Sequence, residues 1–129
     1  MKQIILYFDD EKVLLDIFRE LFNDDYDVRT ASSLEETRRV LSECSPDFII
    51  SDLSMPEISG IEFLREASRK YPHSIRILIT GFGELFQEEI DKADRRLINY
   101  FIPKPWREPE LRSVLERGWE LIQARGEQP

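Results

Sequence analysis

Cysteine is nearly absent from this chain. Its 129 residues contain one, Cys44, at the end of a helical pattern, so no internal disulfide is available and a reducing compartment suits it. Histidine is equally scarce. The single one, His73, follows Pro72 in a loop signal and reads as a solvated side chain, not a catalytic one. No apolar run approaches the roughly 20 residues that span a bilayer, so no membrane segment is expected. Met1-Lys2-Gln3 leads straight into a strand pattern without a small-residue cleavage site; no signal peptide is expected, and the cytoplasm is the expected location. Positive charge is short as well: 18 Lys and Arg stand against 26 Asp and Glu, a formal net charge of -8. The basic residues are scattered, so a grip on duplex DNA through phosphate neutralisation is not expected, nor is any direct nucleic-acid partner.

What is present is ordinary globular material, 41% hydrophobic and 34% charged, in a length that suits one domain with a real core. Residues 3–8 are a continuous apolar strand, consistent with burial on both faces. Asp9-Asp10-Glu11 opens a first helix whose apolar positions, Val13, Leu14, Ile17, Phe18, Leu21 and Phe22, recur at helical spacing and predict one inward face. Tyr26, Val28 and Thr30 alternate with polar neighbours, as in a strand near a sheet edge. Ser33 to Glu36 and Ser59 to Glu62 both have capping-box spacing and open the second and third helices. Leu34, Val40 and Leu41 face inward on the second; Ile61, Leu64, Ala67 and Tyr71 do so on the third. Short apolar strands follow at 47–51, at 75–79 and from Leu97 to Ile102. A short polar helix is expected around 84–93, and a last helix has Pro109 in its first turn and Leu111, Val114, Leu115 and Ile122 inward. Residues 124–129 read as a tail or the start of a linker. Five strands alternating with five helices predict right-handed crossovers and a doubly wound, five-stranded parallel α/β sheet.

The chemistry gathers at the strand ends. Asp9 and Asp10 end the first strand, Asp52 follows Ile49-Ile50-Ser51, Thr80 ends the fourth strand, and Lys104-Pro105 follows the fifth. In an open parallel sheet, ligands bind at the carboxyl ends of the strands. Three carboxylates brought together there repel and raise one another's pKa unless a cation neutralises them. A hard divalent ion with oxygen ligands fits, Mg²⁺ foremost. An aspartate also serves as a nucleophile toward phosphorus, and phosphoryl transfer asks mainly for positioning and charge neutralisation. Asp52 as nucleophile, a metal on one side, Lys104 on the other and the Thr80 hydroxyl toward a phosphoryl oxygen satisfy those demands. Each group alone has a plainer use, as a helix cap, a turn residue or a solvated charge; their joint placement favours the site.

These pieces resemble the receiver domain of bacterial two-component response regulators over about residues 2–123. The matching stretches are Phe8-Asp9-Asp10-Glu11, Ser51-Asp52-Leu53 with Met55-Pro56 and Gly60, Ile79-Thr80-Gly81, and Phe101-Ile102-Pro103-Lys104-Pro105. The resemblance implies a flavodoxin-like sheet of order 2-1-3-4-5 and a receiver domain over residues 1–123. It implies that Asp52 is the phosphoacceptor, that Asp10 and Asp52 bind Mg²⁺ directly with the Ser54 backbone carbonyl, and that Asp9 acts through water. Lys104 would contact the phosphoryl group across a cis bond to Pro105. Thr80 and Phe101 match the family's switch pair, which would signal through the surface of the fourth helix, fifth strand and fifth helix. The implied partners are a sensor histidine kinase or phosphotransfer protein and a downstream protein or fused output domain. A homodimer through the switching surface is compatible with this.

Two positions depart from fast-cycling relatives. Ser54 and Phe82 stand where some of these carry a carboxamide or carboxylate that orients an attacking water, so a longer-lived phosphoryl group is expected. Phe82 and Phe86 could form an exposed partner-binding patch, although core packing is the expected use of at least one. Trp106 does not fix the output class. Three rivals remain. An interaction module working without phosphorylation would lack an acid, lysine or hydroxyl, and none is lacking. An aspartyl-phosphate phosphatase would carry an acid where Ser54 stands. A flavin or nucleotide binder would want a Gly-, Ser- or Thr-rich loop in place of Asp9-Asp10-Glu11.

Overall fold

The computed structural model describes residues 2–81 and 96–126. The strands are β1 (Ile4–Phe8), β2 (Asp27–Ala31), β3 (Phe48–Asp52), β4 (Ile75–Thr80) and β5 (Tyr100–Pro103), and the described helices are α1 (Lys12–Phe22), α2 (Leu34–Glu43), α3 (Gly60–Lys70) and α4 (Glu108–Gly126). All pairings are parallel and the order is β2-β1-β3-β4-β5, the doubly wound topology expected. The helix expected at 84–93, with Phe82 and Phe86, lies outside the described residues.

Alternation along the strands builds two cores, one on each face of the sheet. Ile5, Tyr7, Phe48, Ile50, Ile75, Ile77 and Ile79 pack with Phe18 and Phe22 of α1 and with Leu111, Val114 and Leu115 of α4. Leu6, Phe8, Ile49 and Leu78 pack with Ile61, Phe63, Leu64 and Ala67 of α3. The central strands β3 and β4 are buried at every position, which is why they read as mostly apolar runs; Arg76 is the charged exception within β4. Both predicted caps form: Ser33 accepts the Glu36 N–H and Ser59 the Glu62 N–H.

Three expectations change. The buried stripe of α1 is Leu15, Phe18 and Phe22, whereas Val13 is 70% exposed and Ile17 and Leu21 also face outward. The apolar arc of that helix is wider than its contact with the sheet. The fifth strand begins at Tyr100, not Leu97. Leu97 and Ile98 are buried, but the carbonyls of Arg96 and Leu97 accept from the Arg76 guanidinium, and Asn99 pairs with the Arg76 backbone through both its side chain and its N–H. Buried Arg76 thus draws this stretch off the strand ladder. Finally, α4 continues helical to Gly126, into the stretch read as a tail.

Candidate functional site

Strand register sets out the site. Phe8 lies opposite Ser51, so Asp9 leaves the sheet beside Asp52; Asp52 lies opposite Ile79, and Thr80 opposite Pro103, one residue before Lys104. The group forms at the crevice between β1 and β3, where the chain order reverses, as expected of ligand sites on this architecture. One oxygen from each of Asp9, Asp10 and Asp52 falls within 4.8 Å of the others. Asp9 and Asp52 are buried; Asp10 is exposed.

Each carboxylate has a different situation. Asp9 is held by the protein: its Oδ1 accepts the Glu11 N–H at 2.9 Å, and its Oδ2 accepts the Tyr7 hydroxyl at 2.9 Å and lies 3.2 Å from Lys104 Nζ. Asp52 Oδ1 is 3.3 Å from the same Nζ. Burial, then the Asp9 carboxylate, push the Asp52 carboxyl up to about 6 despite Lys104. Burial alone would lower the Lys104 ammonium, but Asp9 and Asp52 outweigh it and hold it above its ordinary range. Among the described residues, the Lys104 ammonium thus stands against two buried carboxylates, with Asp10 and Glu11 at the rim; Glu11 Oε1 is 3.5 Å from Nζ. This excess of negative charge, with oxygen-only donors, fits a hard divalent cation.

The backbone fixes these positions closely. Leu53 N–H donates to the Ile79 carbonyl and Gly60 N–H to the Leu53 carbonyl, so the loop after Asp52 folds back on its own strand. A methyl at Gly60 would collide with the Asp52 carbonyl oxygen, which explains the glycine by close approach. Lys104 N–H donates to the Thr80 carbonyl at 2.7 Å, and the Lys104–Pro105 peptide is cis. Thr80 is buried beside this pairing, Ser54 is exposed in the loop, and Phe101, on edge strand β5, is 44% exposed.

All the sequence-predicted acids, with Lys104, therefore meet. His73 is exposed in its loop, and Cys44 ends α2, where burial pushes its thiol up. Two residues of the site escape a sequence reading. Tyr7 reads as core, yet its hydroxyl reaches Asp9. Trp106, which the sequence leaves without a role in the site, donates its indole Nε1–H to the Tyr7 hydroxyl at 3.1 Å. The available signal was strand periodicity: a phenol two residues before Asp9 leaves the strand on the same side. A cavity of about 350 Å³ between α2 and α3, lined by Leu34, Leu41, Phe63 and Ala67 among others, contains none of the site residues. The site itself is mostly buried, with Asp10 and Glu11 exposed at its edge.

An open parallel sheet of this order with a buried acid, a lysine and a hydroxyl at its switch point defines the class: a flavodoxin-like domain with an acidic cluster at the carboxyl ends of its strands. The chain belongs to the response regulator receiver domain family, whose model matches residues 5–116. It is 32% identical over 102 residues to the hydrogenase transcriptional regulatory protein HoxA of Cupriavidus necator, covering 79% of this chain and 21% of that protein. It is 25% identical over 115 residues to the chemotaxis protein CheY of Halobacterium salinarum, covering 88% of this chain and 93% of that protein. The crystal structure of a response regulator receiver domain protein from Clostridium thermocellum superposes with TM-score 0.78 at 29% identity, covering 96% of this chain and 97% of the other. The chain thus spans about a quarter or less of the HoxA relatives' length. Receiver domains serve two-component signalling, paired with histidine kinases and often fused to output domains. Among the described residues no helix is long and apolar enough to cross a membrane.

Proposed function

We propose that the chain is a phosphoacceptor switch that takes a phosphoryl group onto Asp52 from the phosphohistidine of a sensor histidine kinase or phosphotransfer protein. An Asp52 carboxylate oxygen attacks phosphorus, the P–N bond breaks, and the imidazole leaves with its electron pair; hydrolysis later returns the carboxylate and inorganic phosphate. In this sense the domain catalyses its own phosphorylation and dephosphorylation. The observation that carries the reading is the convergence of Asp9, Asp10 and Asp52 within 4.8 Å beside Lys104 Nζ, 3.3 Å from Asp52. Asp10, Asp52 and the Ser54 backbone carbonyl would hold Mg²⁺, with Asp9 acting through water; bound there, the ion supplies charge neutralisation for the phosphoryl oxygens. Lys104 neutralises from the other side, and the Thr80 hydroxyl donates to a phosphoryl oxygen.

Thr80 and the partly exposed ring of Phe101 form the switch: the threonine moves toward the phosphoryl group and the ring turns inward, changing the surface that includes β5 and α4. That surface serves a downstream protein or fused output domain, and a homodimer is a second use of it. The domain occupies residues 1–123, with the last turn of α4 carrying the chain on toward a tail or linker, and it works in the cytoplasm. Neither Ser54 nor Phe82 is a residue type that orients an attacking water, so the phosphoryl group is relatively long-lived; Phe82→Glu should accelerate its hydrolysis, and unchanged decay contradicts this. The test of the whole reading is intact mass after incubation with acetyl phosphate, with Mg²⁺ or with chelator. One added phosphoryl group that requires both Mg²⁺ and Asp52 supports it. An adduct on Asp52→Asn, or none on wild type despite demonstrated Mg²⁺ binding, overturns it in favour of an interaction module.

A further inference from the structure

Asp9, Lys104, Trp106 and Tyr7 form a closed ring of contacts. Lys104 Nζ and the Tyr7 hydroxyl both reach Asp9 Oδ2, the Trp106 indole N–H reaches the Tyr7 oxygen, and the backbone of 104–106 joins the last link to the first. Trp106 is not free to turn away: its ring meets Phe18 edge-on at 5.9 Å, and Phe18 meets Tyr7 in the same manner at 5.0 Å. Tyr7 is fully buried, and its hydroxyl donates to Asp9 Oδ2 at 2.9 Å.

This matters because Lys104 is divided between two carboxylates at nearly equal distances, 3.2 Å from Asp9 and 3.3 Å from Asp52. As the ammonium turns one of its three donors toward a phosphoryl group on Asp52, its hold on Asp9 weakens. A buried carboxylate oxygen that loses its partner carries a desolvation cost unless another donor stays with it. The Tyr7 hydroxyl is that donor, on the same Oδ2, and the indole fixes its orientation by using the phenol oxygen as acceptor.

We propose that Tyr7 and Trp106 are positioning residues that hold Asp9 and so release Lys104 to the phosphoryl group on Asp52. The proposal rests on the phosphoacceptor reading. It adds that the acid cluster is wired to the start of α4 through Trp106, which makes this indole a reporter of the site's charge.

The test combines acetyl phosphate kinetics with the indole N–H resonances of the two tryptophans in ¹⁵N-labelled protein, assigned with Trp119→Phe. Wild type should show the Trp106 indole moving with MgCl₂ along the same titration curve as the Asp10 and Asp52 backbone amides. Tyr7→Phe, which removes only the hydroxyl, should abolish the indole's response, keep that of the amides, and slow phosphorylation about threefold to tenfold, the worth of one hydrogen bond. In an Asp9→Asn background, where Lys104 is no longer held back, Tyr7→Phe should have no further effect on the rate. Trp106→Phe should give a smaller slowing in the same direction and serves if Tyr7→Phe does not fold. A Trp106 indole indifferent to Mg²⁺ while the amides respond, or an equal loss of rate with and without Asp9, overturns the proposal. Amides that also ignore Mg²⁺, or wild type that gains no phosphoryl group, would instead overturn the underlying phosphoacceptor reading.

Discussion

The two ends of this sheet bury charge in opposite ways. At the amino end of β4, the Arg76 guanidinium lies 5% exposed and donates to the carbonyls of Tyr71, Ser74, Arg96 and Leu97 and to the Ser74 hydroxyl. Burial, then Arg125, lower its pKa, but its donors are met by acceptors that cannot dissociate. At the carboxyl end, one ammonium faces a cluster of carboxylates, and Asp52 stays raised to about 6. A buried charge surrounded by protein partners reads as structure. A buried charge left short of neutralisation reads as a site awaiting a ligand.

The largest effect should come from breaking the satisfied end. Arg76→Leu removes the donors from several buried carbonyls and should cost about 3 kcal/mol or more in urea unfolding, while leaving Mg²⁺ affinity near wild type. Gly60→Ala strikes the other end, because the added methyl meets the Asp52 carbonyl; overpacking of this kind costs roughly 1–3 kcal/mol and should weaken Mg²⁺ binding as well, unlike Arg76→Leu.

Asp52→Asn sharpens the contrast by its sign. A folded-state carboxyl raised above its unfolded value favours the protonated form, so Asp52 costs nothing below about pH 4; its penalty grows as pH climbs to about 6 and then stays level. Without divalent cation, the Asn variant should be more stable than wild type at pH 7 by on the order of 2 kcal/mol, a gain that disappears near pH 4. Denaturant midpoints at the two pH values check it; a variant less stable than wild type at both would contradict the charge argument. The smallest effect belongs to Phe101→Ala, which should cost under about 1 kcal/mol at a half-exposed edge position. It should nevertheless reduce the spread of chemical-shift change into β5 and α4 on phosphorylation.

Much of this was legible from residues alone. The parallel doubly wound sheet and the meeting of Asp9, Asp10, Asp52 and Lys104 follow from apolar runs that end in chemistry, because a parallel sheet aligns such ends on one edge; the strand order came from the family resemblance. Beyond the two helix caps, side-chain hydrogen bonds were not legible. Tyr7 looks apolar in a run of Ile, Leu and Phe, and only its pairing with residues 99 positions away in Trp106 and two away in Asp9 reveals the hydroxyl's use. Arg76 misled the reading of the fifth strand, since a buried guanidinium claims the carbonyls of residues 96 and 97 that an apolar pattern assigns to a ladder. On α1, periodicity marks the helix, but a wide apolar arc does not say which part meets the sheet, and Val13, Ile17 and Leu21 stay outside.

The most direct measurement is thermal unfolding against MgCl₂ concentration for wild type, Asp52→Asn and Arg76→Leu. An ion bound only by the folded acid cluster stabilises in proportion to the logarithm of its concentration above Kd, about 2.7 kcal/mol at a hundredfold excess. The account predicts that stabilisation for wild type and for Arg76→Leu, and its loss in Asp52→Asn. Equal Mg²⁺ stabilisation of wild type and Asp52→Asn, or none in wild type, would contradict it.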